Sequence, residues 1–230
     1  MVAEGLVPSR ARAQALISAG AVRVGGVVAA KPSSKASGPI EIIGDPSPWV
    51  SRAGLKLDHA LDTFGLTPSG IALDLGASTG GFTQVLLAHG ATHVHALDVG
   101  HGQLHASIAS DPRVTVHEGI NARAIPDGLI PAVDWITADL SFISLEKALP
   151  VALAKPGAHL VALIKPQFEA GRQAVGKGGL VTDPAVHRAV QDRIAVFLRE
   201  SGCEVIGLTD SPITGSDGNR EFLIGARKRA

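Results

Sequence analysis

Residues Ile71-Ala72-Leu73-Asp74-Leu75-Gly76-Ala77-Ser78-Thr79-Gly80-Gly81-Phe82 run from an apolar stretch through a glycine-rich turn into a helical pattern. Ile71 to Leu75 is strand-sized, and the glycines after it break the strand before residues 82–90 resume at helical spacing. The same alternation extends outward in both directions. Leu57, Ala60, Leu61 and Phe64 recur at helical spacing behind Ser51, which predicts a helix over 51–64 ahead of the first strand. Downstream, strands are expected at 93–99, 114–117, 133–138 and 159–164, with helices near 102–110, 144–155 and 184–201. Strand and helix in turn imply an α/β fold with a mostly parallel sheet covered on both faces. The end differs: Val205 to Leu208 and Glu221 to Ala226 flank SPITGSDGN with no room for a helix, so these two strands should be antiparallel.

Ligands of open α/β sheets bind where a strand turns into a helix, and three chemistries compete for the 71–82 turn. A dinucleotide fingerprint needs Gly where Ser78 stands, and a phosphate loop needs Gly-Lys-Ser/Thr; neither pattern fits. Gly76-x-Ser78-x-Gly80 matches the nucleophile elbow of serine hydrolases. The third reading is the Asp-x-Gly-x-x-x-Gly-Gly turn of S-adenosylmethionine-dependent methyltransferases. There the glycines Gly76, Gly80 and Gly81 let the backbone approach the methionine part of the cofactor, which the turn from Gly76 through Ser78 to Phe82 would hold, and Asp74 can face its ammonium group. A second acid, expected about 20 residues on to accept both ribose hydroxyls, is Asp98, followed by Val99. An elbow explains neither Asp74 nor Asp98, so the residues favour the methyltransferase. Its sheet is Rossmann-like with the last strand antiparallel. Asn121, after the third strand, lies where an adenine ring would; it either fixes the base edge or caps a loop.

In such a sheet the last strand inserts beside the fifth, so its start shares an edge with the ends of strands four and five. Asp139, Lys165 and Glu221 stand on that edge. A lysine ending an apolar strand is partly desolvated, which helps it act as a base toward a hydroxyl; neighbouring carboxylates oppose that by favouring the ammonium. The alternative is a buried ion-pair cluster that holds strand ends together.

The chain has 21 Lys and Arg against 21 Asp and Glu, a sum of zero that argues against binding by bulk charge. The sum hides a split, because residues 1–56 carry seven basic and three acidic groups, leaving 14 and 18 for the rest. A single cysteine, Cys203, excludes a disulfide framework and any cysteine-built metal site and suits a reducing, cytoplasmic compartment. No secretion signal or membrane-length apolar run is visible. Residues 32–48, with four prolines, read as a linker around a short Ile40 to Ile43 strand. Ahead of it, Ser9 is placed to cap a helix over 10–19 that Gly20 ends, and Gly25-Gly26 is placed to close a hairpin. Arg10, Arg12, Arg23 and Lys31 then form a candidate basic face for phosphates, in a unit that is otherwise a plain solvated hairpin. The expected division is 1–48, a small basic unit with its linker, and 49–230, a methyltransferase domain.

The chain resembles the TlyA, or hemolysin A, family of ribosomal RNA 2′-O-methyltransferases, which share the FtsJ-type catalytic domain. The stretches that carry the resemblance are Gly5-Leu-Val-Pro-Ser-Arg-Ala-Arg-Ala, Val50-Ser-Arg-Ala-Gly-Leu-Lys-Leu, Leu73 through Thr83, Leu97-Asp-Val-Gly-His-Gly-Gln-Leu, Asp139-Leu-Ser-Phe-Ile-Ser-Leu, Ile164-Lys-Pro-Gln-Phe-Glu and Gly218-Asn-Arg-Glu-Phe. It implies a Lys-Asp-Lys-Glu tetrad at Lys56, Asp139, Lys165 and Glu221, S-adenosylmethionine as cofactor, and ribosomal RNA or ribosomal subunits as partner with a cytidine ribose as target. It also implies that residues 1–48 belong to an RNA-binding fold shared with a small-subunit ribosomal protein and with pseudouridine synthases, here shortened by the helix that usually opens it.

No metal is expected to take part, since the sulfonium is already activated; His101-x-x-x-His105 could set two imidazoles on one helix face, but no third ligand is obvious. The rival readings are a non-catalytic RNA-binding protein on the same fold and a membrane-acting hemolysin. Eight Phe and Trp with no Tyr make stacking platforms few, so RNA contact is expected to rest on Arg and Lys and to weaken with salt.

Overall fold

The structure is a computed structural model describing residues 1–7, 10–18, 20–29, 31, 37–43, 47–154 and 158–229, without the side chains of residues 11, 12, 15 and 18. It divides into two compact units, Met1–Pro48 and Trp49–Ala230. In the first, helix α1 (Arg10–Ser18) precedes strands β1 (Val22–Val24), β2 (Val27–Val28) and β3 (Ile40–Ile42). Gly25 and Gly26, at φ 55° and 84°, close the β1–β2 hairpin in the left-handed backbone that glycine tolerates. Ile40 to Ile42 is not a linker strand: it pairs antiparallel with β1, Val22 opposite Ile42, and completes a sheet of order β2-β1-β3. The core beneath is small, formed by Val7, Leu16, Val22 and Ala29. The expected cap Ser9 lies outside the described residues.

The second unit holds a seven-stranded sheet. Its elements are α2 (Ala53–Phe64), β4 (Gly70–Leu75), α3 (Gly81–Ala88), β5 (Ala91–Asp98), α4 (Ala106–Ala109), β6 (Val114–Glu118), β7 (Trp135–Ala138), α5 (Leu145–Ala148), α6 (Pro150–Leu153), β8 (His159–Ile164), α7 (Pro166–Glu169), α8 (Pro184–Glu200), β9 (Cys203–Asp210) and β10 (Phe222–Lys228). The order is β6-β5-β4-β7-β8-β10-β9, parallel except for β10, which runs antiparallel to both neighbours. β4 sits at the centre, so the 71–82 turn opens at the middle of the sheet edge where ligands of this architecture bind.

Two apolar cores sandwich the sheet. On one face α2 and α3 pack through Leu57, Leu61, Val85 and Leu86 onto Val94, Val161 and Leu223. Each fully buried leucine contributes about 2 kcal/mol relative to an exposed one. Phe64 ends α2 with its ring against Gly207 of β9 and Gly225 of β10, where an added Cβ would come within 3.0 and 2.8 Å of it. Gly65, at φ 62°, then stops the helix. On the other face α8 buries Val190, Ile194 and Leu198 against Ile136, Leu160 and Ile224.

Two expected helices are shorter than their periodicity suggests. Of 102–110 only Ala106–Ala109 is helical, because Gly102 takes φ 62° and its amide donates to Glu118 Oε1, leaving His105 to cap the turn. The 144–155 helix divides at Leu149 into α5 and α6, since Pro150 has no N–H to continue the ladder.

Candidate functional site

The ends of β4, β5, β6, β7 and β8 open onto a cleft of about 1160 Å3, lined among others by Gly76, Ser78, Asp98, Val99, Asn121, Asp139, Phe142, Gln167 and Phe168. Its floor is the turn after β4. Gly76 takes φ 80°, and a Cβ there would stand 2.4 Å from the Asp139 carbonyl oxygen, so only glycine lets this turn pass beside the end of β7. Ser78 adopts φ 46°, and its amide donates to Asp98 Oδ2 at 2.8 Å. The Gly100 amide donates to Asp98 Oδ1, also at 2.8 Å. Each Asp98 oxygen therefore holds one backbone donor and keeps a lone pair for a further hydroxyl.

Asp74 is placed differently from the expectation that it faces a cofactor. It is fully buried and does not line the cleft. Thr83 Oγ1 donates to its Oδ2 at 2.7 Å and Thr137 Oγ1 to its Oδ1 at 2.9 Å, tying β4 to α3 and β7. Burial pushes its carboxyl up to about 6; the threonine hydroxyls oppose the shift and the nearby Asp139 charge adds to it. Gly80, Gly81 and Phe82 likewise stand behind the cleft. Gly81 allows α3 to meet α2, since a Cβ there would lie 2.2 Å from Ser51 Oγ and 2.9 Å from the Gly54 nitrogen. Phe82 is buried in the α2–α3 core. Asn121 lines the cleft while its Oδ1 accepts from the Arg123 amide at 3.0 Å, capping a short helical turn.

The four residues of the implied tetrad form two ion pairs. Lys165 Nζ is 2.6 Å from Asp139 Oδ1 and donates to Ser141 Oγ at 3.0 Å. Lys56 Nζ donates to Glu221 Oε2 at 2.6 Å, and both residues are buried. The sheet register explains the grouping. Phe222 pairs with Ile164, so Glu221 stands across from Lys165 one residue beyond the ladder. Lys56 arrives from α2, whose buried face already carries Leu57 and Leu61. The Glu221 loop is held from the same side, with Arg52 donating to the Thr214 carbonyl at 3.0 Å.

Sequence reading missed the cleft rim. Phe142 is 90% exposed, at φ 66°, with its ring centroid 5.0 Å from that of Phe168. A bulky residue in left-handed backbone costs about 1 kcal/mol or more and persists where the surroundings impose it, often at functional sites. The signal lay in Asp139-Leu-Ser-Phe, but exposure and φ are not written in spacing. Aromatic surfaces are few, as the composition implies, and Phe142 is one that stands exposed at this rim. Arg123, Lys147 and Arg172 line the same cleft, exposed.

In the N-terminal unit, Arg10, Arg23 and Lys31 are exposed; the Arg12 side chain lies outside the described residues. His101 and His105 do not share a helix face, because α4 begins at Ala106 and His105 Nδ1 accepts from the Ser107 amide. Among the described residues no group of three His, Cys, Asp or Glu is arranged to hold a metal, and no helix is long and apolar enough to cross a membrane.

Residues 49–228 match the FtsJ-like methyltransferase family and residues 1–38 the S4 domain. The chain is 44% identical over 99% of its length to the 16S/23S rRNA (cytidine-2′-O)-methyltransferase TlyA of Mycobacterium tuberculosis, covering 87% of that protein. It is 42% identical to hemolysin A of Brachyspira hyodysenteriae, over 96% of this chain and 94% of that one. A solved structure from Streptococcus thermophilus, described as a candidate hemolysin, superposes with a TM-score of 0.80 at 39% identity, covering 97% of this chain and 84% of the other. With its sheet order, its cleft and these relatives, the chain belongs to the FtsJ-like methyltransferase family.

Proposed function

We propose that this protein transfers a methyl group from S-adenosylmethionine to the 2′-hydroxyl of a cytidine ribose in ribosomal RNA. The observation that carries the reading is the pair Lys165–Asp139, 2.6 Å apart, in which Asp139 lines the same cleft as Asp98. The cofactor fits the residues present: Asp98 retains a lone pair on each oxygen for the ribose hydroxyls, and the backbone at Gly76 approaches without a side chain. Asp98, Ser78, Val99 and Asn121 would hold its nucleoside and Gly76 its methionine part. When bound, S-adenosylmethionine supplies a methyl carbon already activated by a sulfonium.

Lys165 grips the ribose hydroxyl and aims it, which is the main task where the electrophile is already activated. Asp139 and Ser141 fix the Lys165 side chain, and with Lys165 as an ammonium the proton the hydroxyl gives up passes to the Asp139 carboxylate beside it. Lys56 and Glu221 hold the neighbouring strand end and keep the local charge balanced. The exposed ring of Phe142 provides a face on which the target base can stack, and Arg123, Lys147 and Arg172 can meet phosphates at the rim. Arg10, Arg12, Arg23 and Lys31 supply the N-terminal unit with cations of its own for RNA phosphates. The domain division that goes with this reading is RNA binding in residues 1–48 and methyl transfer in 49–230.

The test mixes the full chain with methyl-labelled cofactor and ribosomal subunits lacking the modification. Label entering RNA at a single ribose, and none with Lys165→Ala that still binds cofactor in calorimetry, is the expected result. Label that never enters RNA, or equal incorporation by the variant, overturns it.

A further inference from the structure

The two stretches of chain that meet at the Lys165–Asp139 pair meet again at their far ends. Asp139 opens the loop from β7 into α5, and Lys165 stands immediately ahead of α7. Their side chains pair at 2.6 Å, and Lys165 also donates to Ser141 Oγ. At the other end of the loop the Leu145 amide donates to Glu169 Oε1 at 2.8 Å, and Glu169 is the last residue of α7. Between these links the rings of Phe142 and Phe168 lie 5.0 Å apart. The far link has no local substitute: the first amides of a helix find no partner within it, and Ser144, at the cap position of α5, makes no side-chain hydrogen bond to them. Glu169 supplies the acceptor from another element. Its side chain is 2% exposed, and Arg193 of α8 holds it from behind, donating from Nη2 to the Glu169 carbonyl oxygen at 2.6 Å and to Oε2 at 3.4 Å. Arg193 Nε lies 3.4 Å from Glu146 Oε2, so the same guanidinium ties α5 to α7. Burial pushes the Glu169 carboxyl up, and the Leu145 amide and Arg193 oppose the shift. At the near end the Asp139 amide donates to the Leu75 carbonyl at 3.0 Å. Residues 140–144 are held between two fixed points, and within them Phe142 keeps the left-handed φ of 66° that a free loop would relax.

We propose that Glu169 is a positioning residue for methyl transfer: by holding the Leu145 amide it keeps Ser141 and Phe142 at their working distance from Lys165. The inference rests on the function proposed above and adds to it a residue outside the cleft. Glu169 is not among the residues that line the cleft, so it acts through the 140–144 loop and not on the reacting atoms. The leverage comes from the chemistry. Where the electrophile is already activated, the rate depends on alignment, and a displacement of about 1 Å can lower it by about a hundredfold. Loss of the Leu145 anchor frees the loop end, lets Phe142 leave its left-handed backbone and withdraws Ser141 from Lys165.

The experiment uses the full chain with methyl-labelled cofactor and ribosomal subunits, and expresses kcat per cofactor-binding site counted by calorimetry, so that unfolded protein does not enter the rate. Hydrogen exchange of residues 140–145, read by mass spectrometry without RNA, reports the loop directly. Glu169→Ala is expected to speed exchange at the Leu145 amide by at least about tenfold and to lower kcat by about tenfold to a hundredfold. Its cofactor Kd should stay within about twofold of the wild type, because Asp98 is held by the Ser78 and Gly100 amides instead. Glu169→Gln keeps an oxygen within reach of Leu145 and should restore kcat to within about threefold. A role in stability alone would lower the Tm of the variants and leave kcat per site unchanged. Where Glu169→Ala does not fold by circular dichroism, Glu169→Asp decides: it keeps the charge, is a methylene too short for the Leu145 amide, and should lower kcat as the alanine does. Unchanged exchange overturns the hold on the loop. A kcat that Glu169→Ala or Glu169→Asp leaves unchanged, or that Glu169→Gln lowers equally, overturns the positioning role while leaving the methyl transfer intact. A wild type that methylates no RNA overturns both, whatever the exchange shows.

Discussion

Replacing Asp74 with asparagine tests the electrostatics behind the cleft floor. Asp74 is fully buried, and its carboxyl is raised from 3.8 to about 6, mainly by burial. A carboxyl whose pKa is higher in the folded protein than in the unfolded chain favours the fold while it is protonated. That contribution is complete below the unfolded value near 3.8 and disappears as the pH rises through about 6. A shift of about two units corresponds to about 3 kcal/mol, of which about 2 kcal/mol falls between pH ~4.5 and ~7.5. The asparagine side chain does not titrate and keeps the shape, and the Thr83 and Thr137 hydroxyls can turn to meet its amide. The assay is urea unfolding followed by circular dichroism for both proteins at steps across that range. Subtracting the two curves cancels Glu169, Asp217 and every other titrating group the variants share. The wild type should lose about 2 kcal/mol relative to Asp74→Asn as the pH rises. A flat difference curve would show that Asp74 titrates normally, and a rise in the opposite direction would show that the threonine hydroxyls hold it ionised. Either result refutes the argument that burial dominates.

Other outcomes follow from single contacts. Lys56→Met leaves Glu221 buried without its partner and should cost about 3–5 kcal/mol in chemical denaturation, whereas Lys56→Met with Glu221→Gln should recover more than half of that. Gly81→Ala drives a methyl against Ser51 Oγ and the Gly54 nitrogen, and should destabilise by about 1–3 kcal/mol, seen as a lowered Tm in calorimetry. Phe142→Ala should leave stability within about 0.5 kcal/mol, because the ring is 90% exposed, while raising the KM for ribosomal subunits; an unchanged KM would remove the stacking role. Binding to subunits should weaken steeply between low and physiological salt if the rim and N-terminal cations meet phosphates, and filter binding at stepped ionic strength checks it.

Much of the candidate site's edge was legible in the chain because it follows from local pattern. The 71–82 passage declares strand, turn and helix through glycines and periodicity, and the strand and helix alternation around it imposes a parallel sheet with an antiparallel end. Strand order then places Asp139, Lys165 and Glu221 on one edge, since residues that end neighbouring strands must lie close together. Tertiary structure decided what each acid faces. Asp74 and Asp98 both lie near the ends of adjacent strands, yet both faces of the sheet are covered, so no alternation of polar and apolar residues distinguishes them. Packing of Thr83 and Thr137 encloses the first and leaves the second open to the cleft. The pairing of Ile40 to Ile42 with β1, the exposure of Phe142 and the enclosure of Glu169 have the same origin. Each depends on residues far along the chain that meet it only in the folded protein, such as Val22 for Ile42 and Leu145 with Arg193 for Glu169. Spacing in sequence records which groups can share an edge; burial and hydrogen-bond partners, which set charge and orientation, arise only from long-range contacts.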